Sequence, residues 1–168
     1  MNPLPAGTGV PYRIAMVCLG NICRSPMADV VMRDLIAQAG LEKKLEVTSS
    51  GTGDWHLGHP MDPRAADQLR EMDLDPSTHR AQQFTNSWAD RDLILAMDQS
   101  NLANITEILG PLVRPGQVRL FREFDPLAEP DAEVPDPYYG GPDGFVEVGA
   151  MVQRTCRNLL HLLDSKTN

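Results

Sequence analysis

The sequence predicts an α/β fold, a three-layer sandwich in which a four-stranded parallel twisted sheet is flanked by helices. Three observations carry the prediction. Short continuous apolar runs, the mark of strands buried on both faces, recur along the chain. Between them lie segments whose apolar residues repeat at helical spacing, and such alternation implies parallel pairing through right-handed crossovers. At 168 residues, with 42% hydrophobic and 23% charged, the chain suits one domain that buries its core without disulfides or a metal.

Residues 1–11, with three prolines and two glycines and no apolar period, read as a flexible arm ahead of a single domain over 12–168. Tyr12 to Cys18 is the first buried strand. The helix after it carries Ala28, Val31, Met32, Leu35, Ile36 and Ala39, with Ser25 able to cap it, Pro26 suited to its first turn and Gly40 to its end. Leu45 to Ser50 is the second strand, followed by a Gly- and His-rich loop over 51–60. Asp62 and Pro63 open a short helix to about Met72. Asp92 to Met97 is the third strand, and the next helix carries Leu102, Ile105, Ile108 and Leu109 before stopping at Gly110 and Pro111. Gln117 to Phe121 is the fourth strand. Five prolines in the eighteen residues 125–142 force a long loop, a type that is usually functional or disordered. The last helix, about 144–165, has a stripe of Phe145, Val148, Val152, Cys156, Leu159, Leu160 and Leu163.

Fifteen basic against 23 acidic residues leave a net charge of -8, which repels nucleic acid and anionic lipid in the absence of a basic patch. The N-terminal MNPLPAGTGVPY lacks a basic n-region and a signal-length apolar run, and no segment approaches a membrane span. Three cysteines, an odd number, fit reduced thiols in the cytoplasm better than a disulfide framework, with signal-less export left open. Cys156 lies on the apolar stripe of the last helix and reads as core. No histidine pair has ligand spacing, so no metal and no cofactor is expected.

The chemistry concentrates where the first strand ends, in VCLGNICRSP. Ligands of open parallel sheets bind beyond the carboxyl ends of the strands, and a helix start exposes unpaired N–H groups. A loop of inward amides over Leu19 to Cys23, at the positive end of a helix dipole, suits a tetrahedral oxyanion. Arg24 adds a planar fork able to hold two phosphate oxygens. Gly20 permits close approach, and Asn21 tolerates the left-handed region. Cys18 at the mouth of such a cradle is favoured as a thiolate and is the candidate nucleophile, attacking bound phosphate to give a phosphocysteine. The leaving oxygen needs a proton, which calls for a carboxylic acid on another loop. Asp125 and Asp136, each before a proline, both qualify by spacing; the aromatic Tyr138 and Tyr139 beside Asp136 favour it.

Each candidate has a plain alternative. Ser25 is also what an ordinary helix cap looks like. Cys23 is either a packed small residue or a thiol that traps oxidised Cys18. Trp55, beside His56 and His59, is a lid on the core edge or a cleft wall, and Tyr138 and Tyr139 serve equally as loop anchors. His79 reads first as a structural histidine, and Ser49 either bonds the neighbouring loop or ends its strand.

Four ordered motifs, VCLGNICRSP at 17–26, SSGTGDWHLG at 49–58, AMDQSNL at 96–102 and DPYYGG at 136–141, closely resemble the low-molecular-weight protein tyrosine phosphatases over nearly the whole chain after residue 12. The resemblance implies a metal-free, two-step hydrolysis of phosphotyrosine in proteins and of small aryl phosphates, with inorganic phosphate or vanadate as inhibitors. It implies that Cys18 is the nucleophile, Arg24 holds the phosphoryl group and Asp136 is the acid, then the base. It further implies that Asn21, Ser49 and His79 support the loop, that Ser25 stabilises the thiolate, and that Leu19, Gly20, Ile22 and Cys23 complete the cradle. Cys23 takes the place linked to reversible oxidation, and Trp55, Tyr138 and Tyr139 that of the aromatic walls. Related arginine phosphatases carry threonine at Ile22 and lack the tyrosine pair. Arsenate reductases of this scaffold relay electrons through two further cysteines after the second helix, and residues 73–95 contain none. A noncatalytic phosphotyrosine-binding module is the remaining rival, though it has no need of the thiol.

Overall fold

A computed structural model describes residues 2–167. Four strands, β1 (Tyr12–Cys18), β2 (Leu45–Gly51), β3 (Leu93–Ala96) and β4 (Val118–Leu120), form one sheet in the order β2-β1-β3-β4, with every neighbour parallel. The helices are α1 (Arg24–Gln38), α2 (Pro63–Glu71), α3 (Gln99–Leu109) and α4 (Pro142–Thr167). The three-layer α/β sandwich expected from the sequence is thus the observed one.

Alternation along β1 divides the core between two faces. Ile14, Met16 and Cys18 pack with Met27, Val31 and Met32 of α1, Leu69 of α2 and Val148, Val152 and Cys156 of α4. Ala15 and Val17 point the other way, to Phe84, Trp88 and Ile105 and Leu109 of α3. Both faces being covered is why the strand reads as an unbroken apolar run rather than an alternating one. Cys156 is fully buried, as its stripe predicts, and burial pushes its thiol pKa up.

Helix starts follow local chemistry. Asp62 Oδ1 accepts from Arg64 N at 2.8 Å to cap α2, and Asp98 Oδ1 accepts from Asn101 N at 2.7 Å to cap α3. α1 departs from expectation: it begins at Arg24, and neither Ser25 nor Cys23 supplies a side-chain cap. The Ser25 hydroxyl is drawn into other contacts described below. The third and fourth strands are each shorter than expected, because Asp92 turns its carboxylate to Thr8 and Arg13 N, and Phe121–Phe124 wind into a 3-10 turn. A second 3-10 turn, Asn86–Asp90, has no counterpart in the sequence reading.

The N-terminal segment has no regular structure but lies against the domain. Tyr12 donates to Pro5 O at 3.0 Å, Arg119 donates to Asn2 O and Pro3 O, and Thr8 donates twice to Asp92 Oδ1. No helix among the described residues is long and apolar enough to cross a membrane.

Candidate active site

Strand order reverses between β1 and β3, and the loop leaving β1 at this switch point closes a ring from Cys18 to Arg24. The ring is turned inside out by its carbonyls. Those of Cys18, Leu19 and Ile22 accept from Thr52 N (3.0 Å), Gly53 N (2.8 Å) and Asp62 N (2.8 Å) in the surrounding scaffold. The Asn21 carbonyl accepts from His79 Nε2 at 2.7 Å, and that of Cys23 from Met27 N at 3.2 Å. In a trans peptide the carbonyl and the next N–H point in opposite directions. Outward carbonyls at these five residues therefore aim the amides of Leu19, Gly20, Ile22, Cys23 and Arg24 at the centre. This makes a concave anion nest at the start of α1.

Two backbone features make the ring possible. Asn21 has φ 56°, the left-handed conformation a short polar side chain tolerates. Gly51, at the end of β2, lets the ring press against it: a Cβ there would stand 2.7 Å from Leu19 O and 2.8 Å from Asn21 N.

A buried polar network braces the ring. Asn21 Nδ2 donates to Ser25 Oγ (2.8 Å) and Ser49 Oγ (3.1 Å), while its Oδ1 accepts from Gln82 N (2.9 Å). Ser49 Oγ donates in turn to Asp29 Oδ2 at 3.0 Å. The Ser25 oxygen lies 3.0 Å from Cys18 Sγ. Because that oxygen already accepts from Asn21, its hydrogen is available to the sulfur, with Ser50 O the more distant alternative at 3.3 Å. His79 is buried, and desolvation holds its pKa below the ordinary value, so it serves Asn21 O as a neutral Nε2–H donor.

Cys18, Arg24 and Asp136 line one cavity of about 410 Å³, together with Leu19, Gly20, Ile22 and Cys23. Arg24 is only 3% exposed; Nη1 donates to Asp98 Oδ2 at 2.7 Å and to Val134 O at 3.0 Å, and Nη2 lies 3.6 Å from Asp136 Oδ2. Burial disfavours its charge, but Cys18, Asp98 and Asp136 outweigh that and hold its proton more firmly than usual. Cys23 is buried beside the cavity, and desolvation followed by the nearby Asp62 pushes its thiol pKa up. All three cysteines are free thiols.

Trp55, 65% exposed with its ring lying over Gly53, lines the same cavity as Tyr138 and Tyr139. The two tyrosine rings meet edge to face at 4.9 Å. The cavity walls thus contain every residue expected there, and the network contains Asn21, Ser25, Ser49 and His79. Asp125, the other carboxylate candidate, is excluded: it is buried away from the cavity between Arg122 and Arg154. Sequence reading assigned no site role to His56, which also lines the cavity, or to Asp98, Val134 and Asp29. Asp98 carried a signal, an acid at the end of a buried strand; the carbonyl of Val134 carried none. Among the described residues no group of three or more His, Cys, Asp or Glu is placed to hold a metal.

The family model for low molecular weight phosphotyrosine protein phosphatase matches residues 13–168. A low molecular weight protein-tyrosine-phosphatase of Streptomyces coelicolor is 44% identical over 153 residues, covering 89% of this chain and 92% of that protein. The crystal structure of YfkJ from Bacillus subtilis superposes with a TM-score of 0.87 at 32% identity, covering 96% of this chain and 100% of that one. Vibrio vulnificus Wzb, solved in complex with benzylphosphonate, superposes with a TM-score of 0.75 at 27% identity, covering 89% and 97%.

Proposed function

The chain belongs to the low molecular weight phosphotyrosine protein phosphatase family, and from that premise we propose how its residues divide the work. The enzyme hydrolyses phosphotyrosine in proteins through a phosphocysteine. A phosphate monoester enters the ring of amides, its three non-bridging oxygens taken by the loop N–H groups and by Arg24. Cys18 sulfur attacks phosphorus; the S–P bond forms as the P–O bond to the phenol breaks. Asp136 gives its proton to the departing oxygen. The Ser25 hydroxyl stabilises the sulfur anion before attack and again as it leaves. In the second step the Asp136 carboxylate takes a proton from water, whose oxygen attacks phosphorus, and inorganic phosphate departs while the thiolate is restored.

The observation that carries this reading is one cavity that holds the Cys18 sulfur, the Arg24 guanidinium and the Asp136 carboxylate together over inward-facing amides. Small aryl phosphates fit the same cavity, and Trp55, Tyr138 and Tyr139 at its mouth offer faces for the ring of a phosphorylated tyrosine. Inorganic phosphate and vanadate, both tetrahedral oxyanions, compete for the ring as inhibitors. No cofactor is called for, and the setting we propose is the reducing cytoplasm, where the Cys18 sulfur stays unoxidised.

Cys18→Ser tests the reading: turnover of an aryl phosphate should vanish while phosphate binding persists. Turnover retained by that variant would remove the phosphocysteine. Release of phosphate from phosphotyrosine peptides, with little from phosphoserine or phosphoarginine, fixes the substrate class.

A further inference from the structure

We propose that Arg64 is a positioning residue for proton transfer, a strut that fixes the segment bearing Asp136 to the phosphate-binding ring. The proposal rests on the reading of Asp136 as the acid.

Asp136 sits in a stretch without regular secondary structure between the Phe121–Phe124 turn and α4. Its N-terminal side is well tied. Val134 N donates to Met97 O at 2.8 Å, Val134 O accepts from Arg24, and Glu133 Oε2 accepts from Gln99 N at 2.7 Å. Among the described residues, the side-chain hydrogen bonds to its C-terminal side come from Arg64: Nη2 donates to Tyr138 O at 2.9 Å and Nη1 to Gly140 O at 3.2 Å. The same guanidinium grips Asp62 through Nε (3.1 Å) and Nη2 (3.0 Å), and lies 5.5 Å from the Tyr138 ring centroid and 4.7 Å from that of Phe145 in α4.

Asp62 is no passive anchor. Its N–H donates to Ile22 O, one of the outward carbonyls that shape the ring. A continuous path of hydrogen bonds therefore runs from Ile22 through Asp62 and Arg64 to Tyr138, whose own N–H donates to Asp136 Oδ1 at 3.1 Å. A planar fork with donors on three nitrogens makes four bonds here, two to the carboxylate and one to each carbonyl, whereas an ammonium has only three donors and no fork geometry. The Arg64 side chain is about one-third exposed, so its ion pair adds little to global stability. What it fixes is where Asp136 stands relative to the leaving oxygen, and displacement of a catalytic group by about 1 Å costs up to about 100-fold in rate.

The test measures kcat/KM, which reports the phosphorylation step, over aryl phosphates whose phenols range from acidic to weakly acidic. Wild type, Arg64→Ala, Arg64→Lys, Asp136→Asn and the Arg64→Ala/Asp136→Asn double variant are compared. Arg64→Ala is expected to lose roughly tenfold on the poorest leaving group and under about twofold on the best, with Arg64→Lys between it and wild type. On the Asp136→Asn background, Arg64→Ala should add less than about twofold, since no proton donor remains to be misplaced. Phosphate affinity on the Cys18→Ser background should change less than about twofold with Arg64→Ala, a readout that general damage to the fold would move. Equal loss on all leaving groups, or a full additive loss in the double variant, overturns the proposal. An Asp136→Asn profile with no leaving-group dependence instead removes the acid assignment itself, and the proposal with it. If Arg64→Ala does not fold, Arg64→Gln and Arg64→Lys carry the same comparison.

Discussion

Arg24 and Asp98 are joined at 2.7 Å, a charge-assisted hydrogen bond between the first residue of α1 and the cap of α3. The two helices start beyond neighbouring strands, so the pair fixes the guanidinium across the switch point of the sheet. Asp98→Asn retains an oxygen for Asn101 N but loses the charge. It should lower kcat/KM by about 10-fold to 100-fold, matching a charge-assisted hydrogen bond of about 1.5–3 kcal/mol. Asp98→Ala should in addition lose about 1 kcal/mol of stability through the missing cap, read by urea unfolding. An Asp98→Asn enzyme with wild-type kcat/KM would deny the pair any part in holding Arg24.

Asn21 combines a left-handed backbone with three side-chain hydrogen bonds. Asn21→Gly keeps the backbone free of strain but empties the network, whereas Asn21→Ala does both kinds of harm. Alanine should therefore be the less stable variant by about 1 kcal/mol, and both should bind phosphate more weakly than wild type. Equal denaturation midpoints for the two would show that the left-handed turn costs alanine nothing.

Gly51→Ala introduces a methyl group within 2.7–2.9 Å of three backbone atoms of residues 19–21, none of which can rotate away. The ring must shift. A destabilisation of about 1–3 kcal/mol is expected, with a larger fall in phosphate affinity than in thermal midpoint would suggest. Phosphate titration of the folded variant, followed calorimetrically, separates the two effects.

Asp125 ties α4 to the Phe121–Phe124 turn, accepting from Arg154 Nε at 2.6 Å and Nη2 at 2.8 Å. The hydrogen bonds from Arg154 lower its pKa from 3.8 to about 2. A carboxylate more acidic in the folded state favours folding wherever it is ionised in both states. Its contribution, about 2 kcal/mol, is thus whole above pH 3.8 and disappears as the pH falls through about 2. Unfolding free energies of wild type and Asp125→Asn should converge over that window and stay apart at pH 7. A constant gap down to pH 2 would mean that the carboxylate is not the source.

Much of the site was legible because its chemistry is local. Cys18, Arg24 and the residues between them lie on one turn whose ends are set by a buried strand and a helix start, and that position, rather than the spacing alone, pointed to the thiol and the fork acting together. Serine 25 was legible only in part: next to Pro26 it looks like a cap, and only the packing of Asn21 and Ser49 around it shows why its hydroxyl faces the sulfur instead. Between Asp125 and Asp136 spacing alone had no answer, and only the neighbouring Tyr138 and Tyr139 favoured the latter. Each precedes a proline in the same loop, and they part company only where Arg154 of α4 claims one and the cavity receives the other.

The sequence by itself determined the layered α/β architecture, the strand that ends at Cys18 and the turn from Cys18 to Arg24 after it, since hydrophobic period, glycine and proline placement and helix-start chemistry all act over a few residues. Tertiary structure alone decided which carbonyls are pulled outward, which acid faces the cleft and which side chains hold Arg24 and the Asp136 segment in place. Those outcomes depend on hydrogen bonds between residues far apart in the chain, by as many as 110 positions, and such pairings leave no period in the chain because each is fixed only when the sheet has brought its strand ends together.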